Sequence, residues 1–191
     1  TGVQTCALPI CVPAAIERLA RRAVRAGVPI LSHDDTSPEQ RKWFRDLGSR
    51  ISEFPTTVAA AETAATAGEA TVFGAPNVVR GGSHTGCPSA SEMVARGICT
   101  ILASDYYYPA LLAAPFKLAT DGVTSLEAAW ALVSINPAKA LSLSDRGTIA
   151  KDMRADLIAL DVTRTTRPTV VATVASGRIR YLTDASRLST S

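Results

Sequence analysis

The chain has 191 residues, 47% of them hydrophobic and 19% charged, with a formal net charge of +3. That composition supports a buried core and excludes a disordered tail, and the length suits one domain or part of a larger one. The basic residues form no block and aromatics are only 5%, so a nucleic-acid partner is not expected; no apolar run approaches the roughly 18 residues that span a bilayer, so no membrane partner and a cytoplasmic location are expected.

The opening stretch "TGVQTCALPI" follows neither a helical nor a strand period. Its codons can be written as a sequencing-library adaptor that continues with a T, the first base of any codon for Cys11. Residues 1–11 are therefore expected to be a non-native segment, with the reading frame entered inside a gene, and are set apart from the fold. The four cysteines, Cys6, Cys11, Cys87 and Cys99, have neither the density of a disulfide scaffold nor a CxxC spacing and read as reduced thiols.

From residue 13 the pattern is regular. "PAAIERLARRAVRAG" places Ile16, Leu19, Ala20, Ala23 and Val24 on one helical face, ending at Gly27. "VPILSH" reads as a buried strand. Thr36 or Ser37 followed by Pro38-Glu39 starts a helix whose apolar face is Trp43, Phe44 and Leu47. "RISEF" is a strand, "PTTVAAAETAATAG" an alanine-rich helix, and "ATVFGAP" a third strand followed by the glycine-rich loop "NVVRGGSHTGCPS". A helix near 89–96, the strand "CTILASD" and the helical "YPALLAAPFKLAT" and "SLEAAWALVSI" complete four strand–helix units.

Such alternation implies parallel strands with right-handed crossovers, in an open doubly wound sheet or in part of a (β/α)8 barrel. His33, Glu53, Asn77 with Arg80, and Asp105 each fall at or just after the carboxyl end of a strand. A barrel gathers its site from every strand end, whereas an open sheet uses one switch point, so the barrel is favoured. The expected fold class is α/β: half of a (β/α)8 TIM-like barrel, about four βα units, over residues 12–143. Short strands in "ADLIALD", "VVATVAS" and "RIRYL" predict part of a small β-sandwich subdomain over 144–182, and "TDASRLSTS" at 183–191 reads as a disordered tail.

The phrase "NPAKALSLSDRGTIAKDMRADLIALD" resembles the C-terminal signature of the amidohydrolase superfamily. Within that superfamily "LSHDDTSPE", "ISEFPTT", "GAPNVVRGGSHTG" and "LASDYYYPALL" are similar to the alpha-D-ribose 1-methylphosphonate 5-triphosphate diphosphatase family of the carbon–phosphorus lyase pathway. The resemblance covers residues 12–182 and implies the C-terminal half of a metal-binding barrel. It implies hydrolysis of a triphosphate on a phosphorylated ribose phosphonate, with release of diphosphate and a divalent metal cofactor, zinc or similar.

Imidazole is the commonest side-chain ligand of a divalent metal, and a strand end fixes it well. On the resemblance, His33 matches a fifth-strand metal ligand and Asp105 the eighth-strand aspartate, expected both as a metal ligand and as the base that takes a proton from water. Asp105 as a helix N-cap remains the plainer alternative. Glu53 stands where many relatives have histidine and reads as a hard metal ligand, a substrate contact or half of a buried ion pair. Asp34 and Asp35 either orient His33 or cap the following helix. Around "RGGSH", Asn77, the Arg80 guanidinium, the backbone of Gly81 and Gly82, and the side chains of Ser83 and His84 are candidate contacts to phosphate. Glycine pairs also mark ordinary turns, and His84 could instead bind metal. Cys87 departs from the asparagine expected of the family there. Tyr106, Tyr107 and Tyr108 line the mouth of the site or simply pack.

One absence matters. A His-x-His pair on a first strand and a fourth-strand carboxylate have no counterpart, and two histidines cannot supply them. A binuclear centre is therefore not expected from this polypeptide alone, and a truncated gene whose product is inactive by itself is the expected reason. Half a barrel leaves open strand edges, so homo-oligomerisation or aggregation is also expected. Two other readings stand beside the diphosphatase: an amidohydrolase acting on a cyclic amide or nucleobase, and a non-catalytic half-barrel that binds a phosphorylated ligand.

Overall fold

The computed structural model describes residues 11–82, 86–163 and 168–183. Residues 1–10, the candidate contacts Ser83 and His84, and the tail from 184 lie outside the described residues.

Eight helices and seven strands are assigned among the described residues. The chain opens with α1 (Cys11–Arg25), then β1 (Leu31–His33), α2 (Pro38–Asp46), β2 (Ile51–Glu53), α3 (Val58–Thr66), β3 (Ala70–Gly74), α4 (Ala75–Arg80), α5 (Ala90–Ala95) and β4 (Ile101–Ala103). It continues through α6 (Ala110–Thr120), α7 (Leu126–Ala131) and α8 (Ile135–Ala140) to β5 (Leu157–Asp161), β6 (Thr169–Ala175) and β7 (Arg178–Leu182). Helix starts are set chemically. The side chains of Ser37, Thr57, Ser89 and Ser125 accept the N–H of Gln40, Ala60, Glu92 and Ala128 respectively, satisfying donors that the first turn cannot pair internally.

β1 to β4 form one parallel sheet in sequential order, and β5 to β7 a separate antiparallel sheet. Sequential order without a switch point is the arrangement expected of barrel strands. The alternation of side chains along each strand sorts two faces. Phe73 and Leu102 point to the helices, where they pack with Ala61, Val78, Met93, Ala114 and Leu118 in the main core. Ile51, Val72 and Ile101 form a second cluster on the opposite, inner face, joined by Ala140 from α8. Alanine at 60, 61 and 64 is fully buried, so α3 seats by close approach and not by bulk.

The inner face is most open at β1, which is an edge strand: Leu31 is 46% exposed there. α8 is fixed at the amino end of the sheet, where the Asn136 side chain donates to the carbonyl of Thr100 at 2.8 Å. The segment that leads on to the antiparallel sheet presses on it through Gly147 (φ +95°). A Cβ at that position would lie 2.9 Å from the Ile135 backbone, so only glycine fits. No described helix is long and apolar enough to cross a membrane.

The structure corrects one element. Asn77 and Arg80, expected in a glycine-rich loop, lie on α4. Pro76 in its first turn presets a helical φ, and Gly81 (φ +80°) ends the helix. The loop proper begins only at the glycine pair.

Candidate active site

The carboxyl ends of β1 and β2 bring His33 and Glu53 to the same register on the inner face. His33 Nε2 lies 3.9 Å from Glu53 Oε2, and His33 Nδ1 lies 3.1 Å from Asp34 Oδ2. The imidazole also meets the Phe54 ring edge-on, with centroids 5.5 Å apart. Its side chain is 55% exposed and that of Glu53 25%, so both remain reachable from solvent.

Three non-glycine residues at these strand ends adopt left-handed backbone: Asp34 (φ +56°), Phe54 (φ +52°) and Asp105 (φ +49°). Each such conformation costs on the order of 1–3 kcal/mol and must be held by its surroundings. The ladder holds two of them, because Asp34 N–H donates to Glu53 O and Phe54 N–H to Val72 O, both at 2.9 Å. Strain concentrated at one end of a sheet is characteristic of functional ends.

Asp34 and Asp35 part company at this turn. Asp34 stays beside His33, whereas Asp35 drops behind the sheet and is fully buried. Neither caps the next helix, because Ser37 does. Asp35 Oδ2 accepts from Ser32 Oγ at 2.7 Å, Ser52 Oγ at 2.6 Å and Arg41 Nη1 at 3.2 Å. Arg41, also fully buried, donates to Ser49 O at 2.9 Å and lies 3.2 Å from Glu69. Sequence reasoning missed Arg41. The available signal was its spacing four residues from Arg45, which puts both on one helical face; Arg45 donates to the same Glu69 at 2.6 Å.

Beside the His33–Glu53 pair lies a cleft of roughly 190 Å³, lined by Asp34, Phe54, Asn77, Arg80, Cys87 and Asp105 among others. His33 and Glu53 are not in its lining; they adjoin it through Asp34 and Phe54, which directly follow them. Arg80 Nη1 donates to the Tyr106 hydroxyl at 2.6 Å, and its guanidinium carbon sits 5.9 Å from the Tyr106 ring centroid. Arg80 is thus held beside the cleft by the hydroxyl and ring of Tyr106. Asp105 is exposed and is not the cap of α6, whose N-cap is Pro109.

Three candidate contacts are already engaged. The Asn77 amide oxygen accepts the Ala90 N–H at 3.0 Å, tying α4 to α5. The N–H groups of Gly81 and Gly82 donate to Val78 O and Asn77 O, closing α4 in a Schellman motif. Those donors point back into the helix and not outward as an anion nest, so among the described residues of this segment the Arg80 side chain is the basic group offered to the cleft. Ser83 and His84 lie outside the described residues.

The donor chemistry of the His33–Glu53 pair suits a borderline or hard divalent ion. It supplies two of the three or four protein donors such an ion requires. Among the described residues no group of three or more His, Cys, Asp or Glu side chains is arranged to hold a metal ion.

Cys87 and Cys99 are both free, as reduced thiols should be, but differ in burial. Burial pushes the Cys99 thiol up to about 12, whereas Cys87 is exposed at the cleft. In a Cys6→Ser, Cys11→Ser background, a thiol-alkylating reagent at neutral pH is expected to label Cys87 and spare Cys99. Peptide mass spectrometry reads this directly, and equal labelling would mean that the main core opens readily.

The pattern of the Amidohydrolase family matches residues 8–181. The chain is 47% identical, over 133 residues, to the alpha-D-ribose 1-methylphosphonate 5-triphosphate diphosphatase of Escherichia coli (strain K12). That match covers 69% of this chain and 35% of the relative, so the chain spans about a third of the relative's length. Among solved structures, an amidohydrolase from Thermotoga maritima MSB8 superposes with a TM-score of 0.67 at 17% identity, covering 85% of this chain and 45% of that one. The ochratoxinase of A. niger gives 0.64 at 17%, covering 87% and 45%. A prolidase complexed with N-methylphosphonate-L-proline gives 0.63 at 17%, covering 86% and 48%. These likenesses establish the fold as part of a TIM-like barrel with a small accompanying sheet. The chain belongs to the amidohydrolase family.

Proposed function

We propose that this chain carries part of the active site of a metal-dependent diphosphatase. The substrate is alpha-D-ribose 1-methylphosphonate 5-triphosphate or a close analogue, cleaved during phosphonate catabolism in the cytoplasm. The observation that carries the reading is the convergence, at one end of a parallel sheet, of the His33–Glu53 pair with a cleft bearing Arg80 and Asp105. The 47% identity to a diphosphatase supports the substrate class.

The reaction adds water across a phosphoanhydride. The water oxygen bonds to the phosphorus nearest the ribose, the bond from that phosphorus to the bridging oxygen breaks, and diphosphate departs with the bridging oxygen. Asp105 takes a proton from the water. His33 and Glu53, together with donors from outside this segment, would hold a divalent ion, which when bound would supply Lewis-acid polarisation. Arg80 binds phosphate oxygens through paired N–H donors and offsets their charge. Tyr106 keeps its guanidinium beside the cleft.

The test is a chimera in which residues 12–182 replace their counterparts in the Escherichia coli diphosphatase. Diphosphate release that depends on added divalent metal is expected. A folded chimera that binds the triphosphate without cleaving it would favour a ligand-binding role. In the same chimera Arg80→Ala is expected to raise KM by about 10- to 100-fold, the worth of a charge-assisted hydrogen bond, with a smaller change in kcat. A loss of thermal stability with unchanged KM would make Arg80 structural.

A further inference from the structure

The buried polar group behind the sheet has a geometry that stability alone does not require. Ser32 and Ser52 are register partners, and the next pair along the same two strands is His33 and Glu53. On the helix side, Asp35 Oδ2 accepts from both serine hydroxyls, at 2.7 and 2.6 Å. One carboxylate oxygen thereby bridges β1 and β2 one residue before the site pair emerges on the inner side. The left-handed turn at Asp34 (φ +56°) lets the chain do this, sending Asp34 forward to His33 and Asp35 back behind the strands. Arg41 closes the bridge from below: besides its contact with Asp35, it donates to Ser49 O at 2.9 Å and to Ile51 O at 3.4 Å. The Asp35 carbonyl also accepts the Thr56 N–H at 2.9 Å, fastening the loop after β2 to the loop after β1.

We propose that Asp35 is a positioning residue: by clamping Ser32 to Ser52 it fixes the separation of His33 and Glu53 across the sheet. The inference rests on reading that pair as the metal-facing part of the site. Strands only three residues long, one of them at an edge, leave register and splay weakly determined by the ladder alone. A bridge of buried, charge-assisted hydrogen bonds is short and directional.

The structure provides a matched control. Ser49 is as buried as Ser52, but its hydroxyl donates to Ile51 O at 3.1 Å and not to Asp35. Ser52→Ala and Ser49→Ala each delete one buried hydroxyl, and only the first cuts the clamp. The readout is the His33 ring proton spectrum, identified with His33→Gln, together with the cross-relaxation between the His33 and Phe54 rings, whose centroids are 5.5 Å apart. Ser52→Ala and Asp35→Asn are expected to shift the His33 lines and lose the contact to Phe54, while Ser49→Ala leaves both in place. In the chimera, Ser52→Ala is expected to lower kcat by up to about 100-fold at near-constant KM, the cost of misplacing catalytic groups by about 1 Å.

The proposal is overturned if His33 lines and the Phe54 contact survive in Ser52→Ala, or if Ser49→Ala disturbs them equally. Should Asp35→Asn not fold, Ser52→Ala decides, because Asp35 there keeps its bonds from Ser32 and Arg41. Manganese(II) added to the chimera, where the remaining donors are present, separates the two readings: failure to broaden the His33 lines there would remove the metal reading while leaving the clamp to be judged by the ring contact.

Discussion

Asp105→Asn is expected to lower kcat for diphosphate release in the chimera by about 10²- to 10⁴-fold while leaving KM nearly unchanged. The substitution keeps the side chain's shape and removes its negative charge and with it the ability to accept a proton. Backbone strain does not confuse the outcome, since asparagine tolerates the left-handed conformation of this position (φ +49°) as well as aspartate does. Helix capping does not confuse it either, because α6 starts at Pro109 with no side-chain cap bond. The expected melting temperature is therefore unchanged. Near-normal turnover would remove Asp105 as the base, and a fall in stability matching the fall in rate would make it a structural residue.

Much of the fold was legible because local chemistry and hydrophobic period agree. Ser37, Thr57, Ser89 and Ser125 start helices where serine and threonine are expected to. The alternation of strand and helix gave the sequential parallel sheet. The strand-end position of His33 and Glu53 followed from the same count, and their neighbouring register is what pairing two such ends produces.

The illegible parts share a physical cause: one local pattern serves two structures. A stretch of "NVVRGG" is equally good as a loop and as a short helix ended by a left-handed glycine. Only tertiary packing of buried Val78 and Ala75 selects the helix. Once it forms, the glycine N–H groups go to helix closure and cannot cradle an anion. The Asp-Asp pair is ambiguous in another way. Whether adjacent aspartates face the same side depends on a single φ, and the positive value at Asp34 separates them. Arg41 hid for a third reason: a charged residue on an amphipathic helix is by default assigned to water, and its burial is visible only when Asp35 and Glu69, from other elements, are brought to it.

That buried arginine carries the second large effect. Arg41 stands between Asp35 and Glu69, with Arg41 and Asp35 wholly inaccessible and Glu69 nearly so. Arg41→Ala is expected to cost about 3–5 kcal/mol, because it leaves buried carboxylate charge uncompensated and opens a cavity where the side chain ran. Against a typical total of about 5–15 kcal/mol this approaches the unfolding threshold. Arg45→Ala is the informative contrast. Arg45 binds the same Glu69, at 2.6 Å, but its side chain is 25% exposed and Glu69 keeps Arg41 nearby. Its loss is expected to cost only about 1 kcal/mol. Urea denaturation compares the two through their midpoints at constant m-value. Asp35 Oδ1 has no hydrogen-bond partner among the described residues, so the network is incompletely satisfied there, and an apolar replacement of the whole cluster should recover part of the loss. If Arg41→Ala proved no worse than Arg45→Ala, the charge on Arg41 would not be what stabilises this group, and the hydroxyl bridge between Ser32 and Ser52 would have to hold β1 to β2 without it.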